Sequence, residues 1–571
     1  MSDEQAFLQE VLAHPDDMGP RRVFADWLEE QGDPRGEFIR VQCELGELGP
    51  YDPRRGELER RERALLDEHR EQWLEPIRRV VDNPRYRRGF VESFSITPRR
   101  FVEHATQLFE VWPVRRVQFF PLDGHTRDLA LCPHLRKLGG LNLYGGLDVP
   151  RVRFDTLFAS PNLTGLKTLE LSEGRTGDIL LQAAARARGL SSVETLQIGR
   201  AGLPGITALA TASSLPKLKN LTLRHAQFTL PALTGLLETP HLAGVQSLDL
   251  QYSPLAPVLV RVLGAAALTR QLEALDLSHC GLGFAGIETW RTTAHFHQLK
   301  RLSLTADGIG DAGLQGLFRG SDWCARNLTQ LHLSGNTLHD VSAKRLAACR
   351  SFATLQELDL SQNQLTAEGA MRLVQDPAWS KLQSLNLADN PLGTEGVGLL
   401  TGESGCPDLL WLNLANCGLA MGAIRLTARQ EPLRLQQLNL SGNALEDIGI
   451  QGLSLADCLR EVVTLDLSNN RISDDGARGL AEAAWLEGVA SLNLGRNRIG
   501  PAGIRALAQS PHLARVQALI LDDNPIGARG AKSLAESPNC RGLLFLSVNG
   551  CEIPDRNRAP LIERFGSRVV F

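Results

Sequence analysis

Six side chains of this sequence are placed where they could bind a ligand. They are Arg301, His332, Glu357, Asp359, Trp411 and Asn413, which lie on nearby copies of a repeated segment. The first four could form a charged site for a polar ligand, although they could equally neutralise one another. Trp411 projects from a polar segment, which is typical of a binding anchor because tryptophan is enriched at interface hot spots. The alternative for this indole is packing against a neighbouring strand.

Catalytic motifs are absent from the sequence. It contains no G-x-x-x-x-G-K-[ST], no H-E-x-x-H and no G-x-S-x-G. Its 10 cysteines are scattered singly, without a C-x-x-C pair. His332 is interpreted as an exposed histidine and not as a metal ligand. We therefore predict no enzymatic activity, no catalytic residue, no cofactor and no metal.

The composition narrows the class of partner. The chain has 571 residues, 43% of them hydrophobic, and a formal net charge of -4. This hydrophobic fraction is typical of a folded protein. The net charge shows no excess of basic residues, so we predict a protein or peptide partner and no nucleic acid. The first residues carry no secretion signal, and no apolar run approaches the roughly 20 residues of a membrane helix. The expectation is a cytoplasmic protein without a membrane contact.

A repeat positions the six candidate residues. LTQLHLSGNTL from Leu328 recurs as LQELDLSQNQL from Leu355 and LQSLNLADNPL from Leu382, each 27 residues after the last. Weaker copies reach back to Val91, and the last copy starts at Leu543, which makes about eighteen. Apolar residues at the first, fourth and sixth places should point inward, while the third and fifth places face outward from a short parallel strand.

One polar slot follows most of these strands. A buried amide in this slot can donate and accept hydrogen bonds where the chain turns away from the sheet. A cysteine in the same slot is interpreted as structural and not as catalytic. The slot is filled by Cys280, Asn336, Asn363, Asn390, Cys417, Asn443, Asn470, Asn497, Asn524 and Cys551.

The second half of each repeat carries a helical stripe of leucine and alanine. The text L-x-x-L-x-L-x-x-N-x-L with a full helix resembles the ribonuclease-inhibitor subclass of leucine-rich repeats, over residues 114–571. The resemblance implies an α/β solenoid with a parallel inner sheet and outer helices. It also implies a macromolecule bound on the concave face or rim.

The N-terminal residues follow a different pattern, with four helical segments before residue 88. The segment FADWLEEQGDPRGEFIRVQCEL from Phe24, followed later by RRGF from Arg87, resembles the repeat-companion domain of planctomycete repeat proteins. This resemblance implies a bacterial origin and an accessory role, and no reaction. We expect a small all-α domain or cap over 1–88, a solenoid over 89–553 and a C-terminal cap over 554–571.

Four functions remain open from the sequence. The leading hypothesis is a non-catalytic scaffold that binds a macromolecular partner on the concave face. The alternatives are a regulator of an enzyme, as an inhibitor or GTPase activator, and a structural repeat protein without a fixed ligand. A small-molecule or glycan binder would need a cluster of aromatic residues, which Trp411 alone does not form because the adjacent strands offer Ser384 and Gln437.

Overall fold

A computed structural model describes most of the chain. The described residues are 3–49, 52, 54–122, 124–144, 151–171, 177–212, 215–291, 296–318, 327–349, 352–376, 379–401, 406–428 and 432–571. Two units result from the pattern of contacts. The first unit comprises Met1–Glu47 and His69–Leu328, and the second comprises Leu48–Glu68 and Thr329–Phe571.

Four helices begin the chain, as predicted. They are α1 Asp3–Ala13, α2 Gly19–Glu30, α3 Pro34–Glu47 and α4 Arg55–Leu74. Gly32 follows α2 with a φ of 74°, a left-handed conformation that ends the helix at little cost for glycine. The Asp33 carboxylate then accepts a hydrogen bond from the Arg35 N–H at 2.8 Å, which satisfies one of the free amides at the start of α3.

An antiparallel hairpin follows, formed by β1 Asp82–Arg87 and β2 Phe90–Ile96. A buried ion pair joins it to α2, because Arg21 donates to Glu92 at 2.7 Å with no exposed side-chain surface. Arg21 also donates to the Arg88 carbonyl at 2.9 Å, and Gly89 N–H donates to the Gln42 side chain of α3 at 2.6 Å. The segments that carry the N-terminal resemblance therefore contact each other through buried polar groups.

The repeats of the first unit alternate strand and helix. Strands β2 to β10 pair in parallel and in register, so that Leu141, Leu169 and Leu196 lie side by side in the sheet. The further strands are β3 Arg116–Phe119, β4 Gly140–Leu143, β5 Thr168–Leu171, β6 Thr195–Ile198, β7 Asn220–Leu223, β8 Ser247–Asp249, β9 Ala274–Asp276 and β10 Arg301–Ser303. The helices are α5 Pro98–Val111, α6 Thr126–Leu131, α7 Arg151–Phe158, α8 Gly177–Arg186, α9 Leu203–Ala210, α10 Leu230–Glu238, α11 Pro257–Ala265, α12 Gly283–Arg291 and α13 Gly310–Phe318.

The second unit repeats this arrangement with strands of two or three residues, all parallel and in register from β11 to β20. Its strands are β11 Gln330–His332, β12 Glu357–Asp359, β13 Ser384–Asn386, β14 Trp411–Asn413, β15 Gln437–Asn439, β16 Thr464–Asp466, β17 Ser491–Asn493, β18 Ala518–Ile520, β19 Phe545–Ser547 and β20 Val569–Val570. Its helices are α14 Asp340–Ala347, α15 Ala367–Gln375, α16 Gly398–Thr401, α17 Glu446–Ser454, α18 Asp474–Ala481, α19 Pro501–Gln509, α20 Gly527–Glu536 and α21 Ala559–Phe565, with a 3-10 helix at Ala420–Ala428.

A strand stands at each predicted position, from β2 to β19, and the predicted α/β repeat fold is confirmed. The apolar places of each strand form the core, as Leu328, Leu331 and Leu333 are at most 1% exposed. Helix α21 and strand β20 follow the last repeat, and β20 pairs with the outer edge of β19.

The side chain in the slot after a strand forms hydrogen bonds with the backbone of the repeat before it. Asn363 is buried, and its carbonyl oxygen accepts from the Asn336 and Leu338 N–H groups at 2.9 and 3.0 Å. Its amide nitrogen donates back to the Leu333 carbonyl at 3.1 Å and to the Leu360 carbonyl of its own repeat at 2.9 Å. One amide thus satisfies backbone groups of two successive turns.

Cysteine and serine residues in the slot make some of the hydrogen bonds that asparagine makes there. The Cys280 thiol contacts the Leu250 carbonyl at 3.1 Å, and burial raises the pKa of Cys280 to about 12. Burial also raises the pKa of Cys417 and of Cys551 to about 11. Thiols with such pKa values stay protonated at neutral pH, when they are poor nucleophiles. Ser253, also buried, accepts from the Ala226 N–H at 2.9 Å.

Candidate functional site

The third and fifth places of the strands form one surface of the sheet in each unit. We call this surface the open face, because the helices cover the opposite side. On β14 it carries Trp411 and Asn413, which flank the buried Leu412. All six predicted site residues lie on the open face, with Arg301 in the first unit and the other five in the second.

The Asp and Asn side chains at the fifth places of the strands form hydrogen bonds that stabilise the fold. Asp359 accepts from the Ser361 N–H at 2.9 Å and from the Ser361 hydroxyl at 2.6 Å. Asn413 accepts from the Ala415 N–H at 3.1 Å. Such a bond, from the residue two places on, closes an Asx turn at the end of the strand. The same bond is made by Asp249, Asp276, Asn386, Asn439, Asp466 and Asn493.

This repeated turn gives the Asp and Asn residues at the fifth places a role in the fold. One oxygen of Asp359 and the oxygen of Asn413 are engaged in the turn. The second carboxylate oxygen of Asp359 and the amide group of Asn413 are what these two residues can offer to a partner.

His332 and Glu357 form a pair on adjacent strands. The His332 Nε2 atom lies 3.1 Å from one Glu357 carboxylate oxygen, and the Gln330 amide donates to the other at 3.0 Å. Both side chains are partly exposed, so the pair is a weak, solvent-screened contact. The pair is therefore a polar contact point more than a strong ion site.

Trp411 lies between two small or polar neighbours. Strand register places Ser384 on one side and Gln437 on the other. The Trp411 side chain is half-buried, and within the part of the chain that the structure describes it stacks on no other aromatic ring. Part of the indole therefore remains exposed on a mostly polar surface of the sheet.

Phe545, at the third place of β19, is a second aromatic residue on the open face of the second unit. The guanidinium group of Arg63, from α4, lies 5.5 Å from the centre of its ring. This is a cation–π contact between an N-terminal helix and the last repeat strand. The sequence offered no signal for it, because nearly the whole chain separates the two residues.

Two adjoining depressions mark the open face of the first unit. The larger has a volume of about 580 Å³ and is lined by Arg70, Arg85, Ser93, Arg116, Asn142 and Glu170, among others. The smaller, of about 360 Å³, shares Asn142 and Glu170 and continues to Arg224. The larger depression has no signal in the sequence, because its residues come from the hairpin, α4 and several strands. The smaller one is lined largely by fifth places of successive repeats, such as Gln197 and Thr222, which were not among the predicted site residues.

Three aromatic rings are stacked beside the sheet of the first unit. The ring centres of His225 and Tyr252 are 4.8 Å apart, and those of Tyr252 and His279 are 4.5 Å apart. Each residue directly precedes the slot of its repeat and has a positive φ. Their spacing of 27 residues is the signal of this stack in the sequence.

Among the described residues, no group of three or more histidine, cysteine or carboxylate side chains could hold a metal ion. In the same part of the chain, no helix is both long enough and apolar enough to span a membrane.

Comparison with known proteins bears on the repeats themselves. The family described as leucine-rich repeat matches seven segments, at residues 324–347, 353–374, 380–400, 435–454, 462–481, 490–508 and 515–535. No curated protein matches the chain in sequence.

Similar solved structures include an internalin from Listeria monocytogenes, with 18% identity and a TM-score of 0.36, over 67% of this chain and 88% of that one. A TLR13–ssRNA13 complex has 17% identity and a TM-score of 0.43, over 82% of this chain and 70% of that one. A repeat protein of Leptospira interrogans has 15% identity and a TM-score of 0.32, over 80% and 90% of the two chains. These values carry no argument about a ligand. The seven matched segments are leucine-rich repeats, and the other strand-and-helix repeats of the chain have the same α/β repeat fold.

Proposed function

We propose that the protein is a non-catalytic scaffold that binds a macromolecular partner, a protein or peptide, on its open face. The observation that carries the proposal is the half-buried indole of Trp411, which has only Ser384 and Gln437 as its strand neighbours. Tryptophan in such a setting is the residue type most enriched at interface hot spots. The His332–Glu357 pair lies on nearby strands of the same unit and supplies polar contacts around it.

The repeated sheet suits a broad, shallow contact. In-register strands present side chains at regular intervals, and a standard protein interface of about 1,600 Å² can be assembled from them without a deep pocket. The slot residues have structural partners and the slot cysteines have raised pKa values, which supports binding over catalysis. We keep a regulator of an enzyme as the second candidate. That role predicts a rim arginine or an acidic patch, and Arg301 is an exposed arginine on the open face of the first unit.

The remaining parts of the proposal concern class and location. We propose the ribonuclease-inhibitor-like subclass, on the strength of 27-residue repeats with a helix in most of them, and a repeat-companion domain over 1–88. We also propose a solenoid over 89–553 and a C-terminal cap over 554–571. The source organism is proposed to be a bacterium, and the location in the cell the cytoplasm.

The test is affinity purification from the source organism with three tagged chains: the wild type, Trp411→Ala and the matched control Phe284→Ala. Phe284 is 52% exposed and lies on helix α12, away from the open face. Loss of a hot-spot residue costs about 2 kcal/mol or more, so we expect at least a 10-fold drop in captured partner for Trp411→Ala alone.

The same experiment separates protein from nucleic acid. Nuclease treatment before capture should leave the partner in place if it is a protein. Equal recovery on the wild type, Trp411→Ala and Phe284→Ala would remove the open face around Trp411 from consideration.

A further inference from the structure

The open face of the first unit carries unbalanced positive charge at its N-terminal end. The larger depression there is lined by three arginines, Arg70, Arg85 and Arg116, and by a single acid, Glu170. We call it the arginine depression. Its other polar lining includes the hydroxyl of Ser93. The chain as a whole has a net charge of -4, so this surplus is local and does not follow from composition.

Strand register brings two of the arginines to one row. Arg85 of β1 pairs with Ser93 of β2, and Ser93 pairs with Arg116 of β3. Adjacent strands are about 4.8 Å apart, so the two arginine backbones lie on either side of Ser93, roughly 10 Å from each other. Arg70, from helix α4, lines the same space. Three elements thus direct guanidinium groups to one depression.

The hydrogen bonds show which of these charges are free. Arg116 lies 3.1 Å from Glu170, and the Asn142 amide donates to the same carboxylate at 3.0 Å. Among the described residues, the side chains of Arg70 and Arg85 make no ion pair and no hydrogen bond. The charges of Arg116 and Glu170 neutralise each other. Two unpaired positive charges and the Ser93 hydroxyl therefore face the depression.

We propose that the arginine depression binds a doubly charged oxyanion, the phosphoryl group of a phosphorylated side chain on a partner protein. A phosphoryl group carries a charge of about -1.5 to -2 at neutral pH and three acceptor oxygens, which matches two free guanidinium groups. The planar guanidinium fork binds such oxygens in pairs, whereas one carboxylate would neutralise only one of the two arginines. The proposal rests on the proposed function only for the identity of the molecule that carries the phosphoryl group.

The test measures the site without the partner. Isothermal titration calorimetry at low salt and pH 7.5 is carried out on the full chain with inorganic phosphate, N-acetyl-phosphoserine methylamide and N-acetyl-glutamate methylamide. We expect phosphate and the phosphoserine compound to bind and the glutamate compound to bind at least 10-fold more weakly. Added salt should weaken binding, since the arginines are exposed to solvent.

Three variants assign the binding to these residues. The double variant Arg70→Gln/Arg85→Gln should bind phosphate at least 10-fold more weakly, since each charge-assisted bond is worth about a factor of 10. Glu170→Gln should bind it several-fold more tightly, because it removes the carboxylate charge that pairs with Arg116. The control Arg261→Gln removes an exposed arginine on helix α11, outside the depression, and should leave the affinity unchanged.

All of the substituted arginines are exposed, so an unchanged melting temperature shows that the variants fold. No binding of phosphate or phosphoserine, or equal binding by the double variant, would overturn the proposal. Equal affinity for the glutamate compound would also overturn it and indicate a carboxylate site. Capture of a partner through Trp411 is measured separately, so failure of the phosphoryl site leaves that result standing, and the reverse also holds.

Discussion

The polar slot residue of a repeat forms hydrogen bonds with backbone groups of the repeat before it. The type of its side chain decides how many of these groups find a partner. Asparagine both accepts and donates, as the five hydrogen bonds at Asn363 show. Asp307 stands in the same slot and accepts from the Cys280 and Gly281 N–H groups at 2.8 and 2.9 Å. An ionised carboxylate cannot donate, and burial raises the pKa of Asp307 to about 7, with Asp276 adding to the effect.

The substitution Asp307→Asn should change how the stability of the protein depends on pH. The unfolded carboxyl group ionises near pH 4 and the folded one near pH 7, so the folded state holds the proton longer and stability falls as pH rises through this window. The full cost is about 4 kcal/mol once both states are ionised. Asp307→Asn should remove this fall, so its advantage in the free energy of unfolding should grow by about 2–3 kcal/mol between pH 5 and pH 8.

Urea unfolding followed by circular dichroism at several pH values measures this difference. Asn336→Asp is the reciprocal control and should introduce the same decline with pH, since Asn336 is equally buried. Parallel pH profiles for wild type and Asp307→Asn would show that Asp307 does not titrate in this window.

At the scale of elements, the turn between β1 and β2 is held against α3 by a close backbone approach. Gly89 has a φ of 83°, and a methyl group there would lie 2.2 Å from the Ile39 Cγ1 atom and 2.6 Å from the Ile39 Cα atom. Gly89 N–H also donates to Gln42. The hairpin can therefore pack on α3 only with a glycine at this point.

Two alanine substitutions separate backbone strain from crowding. Gly32 has a similar φ of 74° but no atom within 4 Å of the added methyl group. Gly32→Ala should cost roughly 1–2 kcal/mol, the price of a left-handed alanine. Gly89→Ala should cost about 4 kcal/mol, because the turn must also move away from α3. Melting temperatures of the two variants measure the contrast, and equal losses would mean that the turn tolerates the methyl group.

How far the sequence predicts structure differs between elements. The strands from β2 to β19 were predictable because three apolar places recur at a steady period, even at the weak copies from Val91 and Val114. The arginine depression was not, since Arg70 lies on a helix and Arg85 on an antiparallel strand outside the repeat. The turn made by Asp359 was also hidden, because solvation explains an aspartate column equally well.

At the scale of the whole molecule, a repeat array needs a cover on its last strand. In the second unit the Val548 N–H donates to the Val570 carbonyl at 2.9 Å, and Leu561 and Phe565 of α21 are buried. An uncovered strand edge and core favour pairing between chains. We therefore expect the segment after Ile553 to reduce association between molecules through this strand edge.

Deletion of residues 554–571 should produce association that increases with protein concentration, measured by light scattering after size-exclusion chromatography. Ile562→Ser is the control, since Ile562 is 51% exposed on α21 and should not affect the elution volume. A truncated chain with the same size distribution as the full chain at all concentrations would show that β20 and α21 are not needed as a cover.

The direction of the slot hydrogen bonds also has a consequence for how the chain is made. Each asparagine reaches back, as Asn470 does to the Leu440 carbonyl at 2.9 Å, so a repeat is completed by the one translated after it. The ribosome adds about 5–20 residues per second, so a new repeat waits on the order of a few seconds for its partner amide. During that interval the growing end of the array is always one repeat short of a finished turn, and it is there that a chaperone would find exposed backbone to bind.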